Sequence, residues 1–508
     1  MTPNPAPTKP ELDYSVIKHR SISGLVVLVS RTFIIQLIAL AGFFFLSTFL
    51  EISEIGLFFA VSEIVAILGY FSDIGLAAAL IQKHQTIKTE DIRTTFTIQQ
   101  ILVGSLVALV FIFSPQISGF YNLNSEQTWL LWALTAAFFL ASLKTIPSVL
   151  LERQLQFDKL VIVETAEVLL FYGIAVFMSW QGYGIHSYTL AVIARGLIGT
   201  SLIYYLAPWK IGFAFSITTI KQLMKFGLPY QANTLLAMVK DRFLNLLLFK
   251  LIGAQGMGLI GWAQTWSQKP LRFISDNVNK VAFPTFSRLQ GDQLSLTKAI
   301  NKMLFFSSTI VFPTVIGLGL IAQPALTLIP CESGMGQIPC DQKWQAALIP
   351  LYLYLFNTAW ASVSTPLTNT LAAIGKITTV SKLMVMWTIL TWVIIAPLAY
   401  FYGYIGVAYG VAIVSLSSVV PIWLVYKIIK FDLLNSIIKP LISSLIMGIL
   451  VWLILQIIPV TNYNLQITRI ISAVSIGILS YSVLLHLITG KDLIPQVKLF
   501  IKGIKNKS

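Results

Sequence analysis

Residues 96–116, FTIQQILVGSLVALVFIFSPQ, contain no Asp, Glu, Lys or Arg side chain. A helix needs about 20 consecutive, mostly apolar residues to cross the hydrocarbon core of a bilayer, so this stretch predicts a membrane-spanning helix. The same criterion applied to the rest of the chain predicts about fourteen spans in all. They lie near residues 22–48, 55–81, 96–116, 129–150, 160–181, 185–207, 228–252, 257–283, 302–328, 346–374, 378–401, 404–426, 437–458 and 466–489.

The composition of the whole chain supports this interpretation. Of its 508 residues, 56% are hydrophobic and only 11% are charged, and the mean hydropathy is +0.80. Soluble domains carry about 25% charged residues, so the shortfall excludes an ordinary cytosolic enzyme, a disordered chain and a basic nucleic-acid-binding domain. We therefore expect an all-α polytopic membrane protein that is surrounded by membrane lipids and has no nucleic-acid partner.

Basic residues are distributed unequally between the two sides of the predicted spans. The loops on one side and the C-terminal tail carry most of the Lys and Arg residues, whereas the opposite loops carry only Lys250, Lys343 and Arg469. Because basic loops are retained in the cytoplasm, this asymmetry predicts an even number of spans with both termini cytoplasmic. It also supports a span at 257–283 in spite of its polar residues, since leaving that span out would invert every later loop.

The two halves of the chain contain a weak internal repeat. Span two opens with Ile55-Gly56-Leu57-Phe58, and span eight opens 202 positions later with Met257-Gly258-Leu259-Ile260. Six spans separate the two copies, so both copies keep the same orientation in the membrane. The repeat predicts two six-helix lobes that face each other across a central cleft. The predicted units are a cytoplasmic N-terminal segment (1–21), an N-lobe (22–207), a cytoplasmic amphipathic linker (208–227), a C-lobe (228–426), two further spans (427–489) and a basic cytoplasmic tail (490–508).

Several charged residues fall inside the predicted spans, where an unpaired charge costs at least a few kcal/mol. We expect such residues to face an aqueous cleft or a partner of opposite charge. The cationic candidates for substrate binding are Arg31, Lys240, Arg242, Lys269 and Arg272. The acidic candidates for the cleft or for ion coupling are Glu63, Asp73, Asp241 and Asp276. Lys144 and Arg195 have a simpler alternative as members of an ion pair with Glu167.

Span eight carries the most informative pattern. Lys269, Arg272 and Asp276 share one helical face, and Trp262 and Trp266 extend that face by two turns. The cations are suited to binding phosphate and the indole rings to stacking on sugars. The alternatives stay open: the tryptophans would pack against neighbouring helices, and Arg272 would form an intrahelical ion pair with Asp276.

The chain contains two cysteines, Cys331 and Cys340, in an outward loop between spans nine and ten. A disulfide is plausible there because the predicted compartment is oxidising, and two unpaired thiols are the alternative. The four histidines are widely spread, and with the cysteines they form no cluster with metal-ligand spacing. The sequence therefore predicts neither a metal site nor a cofactor.

Four segments resemble a known family of transporters. They are EIGLFFAVSEIVAILGYFSDIGLAAALIQ at 54–82, IPSVLLERQLQF at 146–157, FGLPYQANTLLAMVKDRFLNLLLFKLIGAQGMGLIGWAQ at 226–264 and VAFPTFSRLQGD at 281–292. The chain resembles the polysaccharide-exporter branch, the Wzx-type oligosaccharide flippases, of the multidrug/oligosaccharidyl-lipid/polysaccharide flippase superfamily. None of these segments is a catalytic motif, so the resemblance bears on fold and substrate class.

The resemblance implies a transporter of the cell inner membrane that is not an enzyme. Such a protein moves an undecaprenyl-pyrophosphate-linked oligosaccharide from the inner to the outer leaflet by alternating access, for O-antigen, capsule or exopolysaccharide synthesis. Its implied partners are this polyprenyl-pyrophosphate-linked oligosaccharide, a polysaccharide polymerase and the chain-length machinery. One alternative is a cation-coupled multidrug exporter of the same superfamily, although Arg31 in span one favours an anionic substrate. The other is a membrane-embedded polysaccharide polymerase, ligase or acyltransferase, although no large outer loop is predicted.

Overall fold

The computed structural model describes residues 33–72, 75–82, 87–221, 224, 235, 238–328, 343–458 and 463–489, and no strand occurs among them. The helices are α1 (Phe33–Phe49), α2 (Ile52–Phe71), α3 (Leu76–Gln82), α4 (Thr89–Tyr121), α5 (Ser125–Leu143), α6 (Thr145–Arg153), α7 (Phe157–Trp180), α8 (His186–Leu206), α9 (Leu244–Leu289), α10 (Gln293–Leu326), α11 (Leu348–Ala373), α12 (Ile377–Leu416), α13 (Val419–Ile428), α14 (Lys439–Ile457) and α15 (Tyr463–Thr489). A π-helical turn at Val239–Phe243 leads into α9, and a second one at Leu434–Ile438 leads into α14.

Eleven helices in the described part of the chain are long and apolar enough to cross a membrane. Two of the long helices bend at a glycine: α9 at Gly253, where φ is 67°, and α12 at Gly403, where φ is 59°. A positive φ is readily adopted by glycine because it has no Cβ. The bends lie between predicted spans seven and eight and between spans eleven and twelve. The all-α polytopic fold is confirmed, and the count of fourteen spans stays a prediction.

A side-chain cap starts α10 directly after the family-like segment 281–292. The Asp292 carboxylate accepts hydrogen bonds of 3.1 Å from the backbone N–H groups of Leu294 and Ser295. Hydrogen bonds from the side chain and backbone of Ser295 hold the pKa of Asp292 below its usual value. The carboxylate therefore stays ionised at neutral pH, which favours its place at the positive end of a helix.

The predicted N-lobe and C-lobe touch backbone to backbone where α2 meets α9. A Cβ added at Gly56 would lie 1.8 Å from the carbonyl oxygen of Ala254, and one added at Gly258 would lie 2.0 Å from that of Ile52. No other residue type leaves room for this approach. Gly56 and Gly258 are the glycines of the internal repeat, so the two copies contact each other across the boundary between the lobes.

The largest buried apolar cluster lies around this contact. It combines side chains of α2, such as Ile55 and Leu57, with side chains of α9, such as Leu259 and Ile260. A separate cluster fixes α14 and α15 against α10, where Tyr481 donates a 2.8 Å hydrogen bond to the carbonyl of Thr309. The lobes thus share one core, while the C-terminal helix pair packs on the side of the C-lobe.

The glycine contact makes a prediction about stability. We expect Gly56→Ala to lower the stability of the purified protein by about 1–3 kcal/mol, because the added methyl group meets backbone that cannot move aside. A matched control is Gly104→Ala in α4, where a Cβ meets nothing within 4 Å. Since alanine favours a helix over glycine, the control should be neutral or slightly stabilising. Thermal unfolding in detergent measures both, and equal melting temperatures for the two variants would contradict the close approach.

Candidate functional site

An ion pair joins the two lobes in the middle of α2. Nη1 of Arg242 lies 2.6 Å from Oε2 of Glu63, and the amide of Asn245 donates a 3.0 Å hydrogen bond to the other carboxylate oxygen. The Glu63 side chain is only 14% exposed, whereas 47% of the Arg242 side chain is exposed. Arg242 therefore neutralises a half-buried acid and still presents part of its guanidinium group outside the pair.

The π-helical turn at Val239–Phe243 carries three consecutive charged residues, and the first and the third have different partners. Nζ of Lys240 pairs with the neighbouring Asp241 at 2.6 Å, so these two charges compensate each other locally. The ring N–H of Trp392 in α12 donates a 3.2 Å hydrogen bond to the carbonyl of Val239 and holds the turn in place. As a result, Arg242 is the charge of this turn that pairs across the lobes. π-Helical turns are frequent at functional sites.

Lys269 and Arg272 lie one turn apart in α9. Lys269 is half-buried, and Arg272 is exposed and donates a 3.0 Å hydrogen bond to the neutral side-chain oxygen of Gln268. Among the side chains that the structure describes, which do not include that of Asp276, no carboxylate lies within ion-pair distance of either cation. This part of α9 therefore places two cations one turn apart.

The two tryptophans of the same face have different surroundings. Trp262 is 5% exposed and stacks on Trp344 with ring centres 5.2 Å apart, so its ring is not accessible in this conformation. Trp266 is only partly buried and lies 6.3 Å from the ring of Phe43 in α1. Packing accounts for Trp262 here, and sugar stacking by either ring stays a prediction.

A second charged cluster lies inside the N-lobe, at Glu167 in α7. Its buried carboxylate pairs with Lys144 and lies 3.6 Å from Nε of Arg195 in α8. Gly199 makes the space for it, because a Cβ there would lie 1.7 Å from Oε1 of Glu167. The expected ion-pair role of Lys144 and Arg195 with Glu167 is confirmed. The cluster holds α7 and α8 against the junction of α5 and α6.

Sequence reasoning missed the importance of Lys250 and Lys343, which it used only to orient the chain. Lys250 donates to the carbonyl of Phe120 in the N-lobe, and Lys343 donates to the carbonyls of Ser47 and Leu50. The signal was present: both are isolated cations in loops that otherwise lack basic residues.

Five predicted residues cannot be placed. Arg31, Asp73, Cys331 and Cys340 lie outside the described residues, and so does the side chain of Asp276. Their predicted roles, the Cys331–Cys340 disulfide and the Arg272–Asp276 pair included, stay predictions.

A family model described as "Polysaccharide biosynthesis protein" matches residues 45–333. The teichuronic acid biosynthesis protein TuaB of Bacillus subtilis (strain 168) is 26% identical over 392 residues, which cover 74% of this chain and 77% of the relative. The lipopolysaccharide biosynthesis protein WzxC of Escherichia coli (strain K12) is 24% identical over 432 residues, with 84% and 85% covered.

A solved structure shares the fold. The lipid II flippase MurJ in its inward closed conformation superposes with a TM-score of 0.74 at 16% identity, over 92% of this chain and 100% of that chain. This likeness confirms the expected all-α polytopic fold.

The Glu167 cluster makes a prediction about folding. We expect Glu167→Gln to destabilise the protein by about 3–5 kcal/mol, because two cations would lose their shared acid. Replacing Lys144 with Met in the same chain should restore part of the loss, since one unpaired charge is then removed. Melting temperatures of the single and double variants test this interpretation. An unchanged melting temperature in the single variant would show that the cluster has no structural role.

Proposed function

The chain belongs to the polysaccharide biosynthesis protein family, and we propose that it is a flippase for a lipid-linked oligosaccharide. It moves a polyprenyl-pyrophosphate-linked glycan from the inner to the outer leaflet of the cell inner membrane, for the synthesis of O-antigen, capsule or exopolysaccharide. Its relatives are named for teichuronic acid and for lipopolysaccharide biosynthesis, which supports a glycan-containing substrate. The transport involves no covalent step.

The observation that carries this proposal is the pair of cations at Lys269 and Arg272. Trp266 on the same face of α9 meets Phe43 of α1 in the N-lobe, whereas Trp262 stacks on Trp344. Helical periodicity directs Lys269 to the same side one turn further along, into the space between the lobes. Pyrophosphate oxygens bind ammonium and guanidinium groups strongly where bulk water is scarce.

Arg242, in the preceding predicted span, adds a third cation to this pair. Its exposed guanidinium edge supplies a further donor, while Glu63 fixes its position. We infer that the substrate binds between Arg242 on one side and Lys269 and Arg272 on the other, with the polyprenyl chain remaining in lipid. Arg31 would add a cation from the first span.

The transport follows from alternating access of the two lobes. In the conformation described here the lobes meet at Gly56 and Gly258, near the start of α2 and the bend of α9, and we propose that both face outside. Loading therefore takes place from the cytoplasmic side. An inside-negative membrane potential favours the outward movement of an anion by about 2.3 kcal/mol per charge per 100 mV. Both termini are proposed to be cytoplasmic, and a polymerase with its chain-length machinery would use the product.

The cation pair is tested with neutral variants. We expect Lys269→Gln and Arg272→Gln each to reduce polymer export at least about tenfold, the loss that corresponds to one charge-assisted hydrogen bond of about 1.4 kcal/mol. Export is measured in cells that depend on this protein for their surface polysaccharide, with its membrane level measured in parallel. Arg272→Lys should retain more export than Arg272→Gln.

The matched control is Lys298→Gln, an exposed lysine in the first two turns of α10. It removes the same charge outside the proposed cleft and should leave export unchanged. Full export by both cleft variants at normal levels would contradict the proposed binding site. A loss of protein instead of a loss of export would indicate a structural role, such as the predicted Arg272–Asp276 pair.

A further inference from the structure

The three basic residues on the predicted outer side share one structural role. Each donates a hydrogen bond to a backbone carbonyl in the last turn of a helix or directly after it. Lys250 bonds to Phe120 at the end of α4, Lys343 bonds to Ser47 and Leu50 at the end of α1, and Arg469 bonds to Leu455 at the end of α14. Their common placement explains why these loops contain basic residues at all.

Helix C-termini attract cations for a physical reason. The last four carbonyl groups of a helix have no partner within the helix, and the aligned peptide dipoles make that end negative. A Lys or Arg side chain at this end donates a hydrogen bond to an unpaired carbonyl and also places a positive charge at the negative end of the dipole. The three residues are therefore helix caps, and their position opposes the usual preference of basic residues for the cytoplasmic side.

Two of these caps join the lobes, and the third does not. Lys250 belongs to α9 of the C-lobe and reaches α4 of the N-lobe. Lys343 precedes α11 of the C-lobe and reaches α1 of the N-lobe. Arg469 links α15 to α14 within the C-terminal helix pair.

Aromatic contacts accompany both crossing caps. Beside Lys250, Phe249 stacks on Tyr121 with ring centres 5.0 Å apart, and the ammonium lies 4.6 Å from the ring centre of Phe120. Beside Lys343, the ring N–H of Trp344 donates a 2.8 Å hydrogen bond to the carbonyl of Ser47. Each cap therefore lies in a formed contact between the lobes.

We propose that Lys250 and Lys343 form an outer clamp that positions the lobes for transport. The clamp holds the ends of α4 and α1 against the C-lobe while the cleft is closed on the outer side, and both bonds must break when the cleft opens there. Its bonds are reversible because Lys250 is exposed and the released carbonyls can bond to water. The assignment of the clamp to a transport step rests on the proposed function.

The clamp is tested by measuring the distance between the lobes. Spin labels are attached at Ser125→Cys, at the start of α5, and at Tyr402→Cys, beside the bend in α12, in a background with Cys331→Ser and Cys340→Ser. Both label positions are exposed. Distances are measured by double electron–electron resonance in lipid nanodiscs. We expect the Lys250→Gln Lys343→Gln double variant to raise the ratio of long to short distances by about threefold to thirtyfold, from the usual effect of one cation at each of two helix ends.

Two further variants separate a clamp from a merely structural contact. Arg469→Gln removes the same kind of cap within the C-terminal pair, so it should leave the distance distribution unchanged. Lys250→Arg with Lys343→Arg keeps both charges and should restore the short distance. The proposal is overturned if the double Gln variant keeps the parent's distribution, or if Arg469→Gln shifts it equally.

The distance measurement needs no substrate, so its result is independent of the proposed function. A shift without any glycan transport by the parent protein would keep the clamp and overturn the flippase assignment. If instead the parent transports glycan and its double variant shows no shift in distance, the flippase assignment is kept and the clamp is overturned.

Discussion

A Cβ at Gly56 would lie 1.8 Å from the carbonyl oxygen of Ala254, so α2 and α9 meet there without any side chain between them. The positions of the charged residues follow from this contact. Two turns further along α2, Glu63 reaches Arg242 at 2.6 Å. Along α9, Lys269 lies three turns beyond Gly258. A wider separation of the two helices would lengthen the distance between Glu63 and Arg242.

The charges inside the membrane fall into two groups with different consequences. Glu167 and Glu63 are compensated by Lys144, Arg195 and Arg242, and these pairs stabilise the lobes and the contact between them. Lys269 and Arg272 have no carboxylate partner among the side chains that the structure describes, and a cation in the membrane needs either water or an anion. We therefore propose that this second group binds the anionic part of a lipid-linked substrate.

Much of this arrangement could be predicted from the sequence, because it depends on local patterns. Long apolar runs predicted the membrane-spanning helices, and the repeated Gly56 and Gly258 predicted two related lobes. The ion pair of Glu167 with Lys144 and Arg195 was one of the alternatives that the sequence offered for these two cations. These inferences need only helix length, periodicity and the high cost of an unpaired charge in lipid.

The remaining features depend on contacts between distant parts of the chain. Glu63 and Arg242 are 179 residues apart, and nothing in the local sequence connects them. Trp262 has the spacing of a binding residue, but Trp344 of another loop covers its ring. The capping roles of Lys250 and Lys343 require knowledge of which helix ends lie nearby. For such residues, the sequence indicates that a partner is needed without identifying it.

The most direct measurement of the central claim is transport in purified form. Proteoliposomes would contain the protein and a fluorescent polyprenyl-pyrophosphate-linked oligosaccharide in both leaflets, and an added glycosidase would cleave the glycan that reaches the outer leaflet. The flippase account predicts that the initially protected half is cleaved with time in the presence of the protein. A protected fraction that stays equal to that of protein-free liposomes would contradict it.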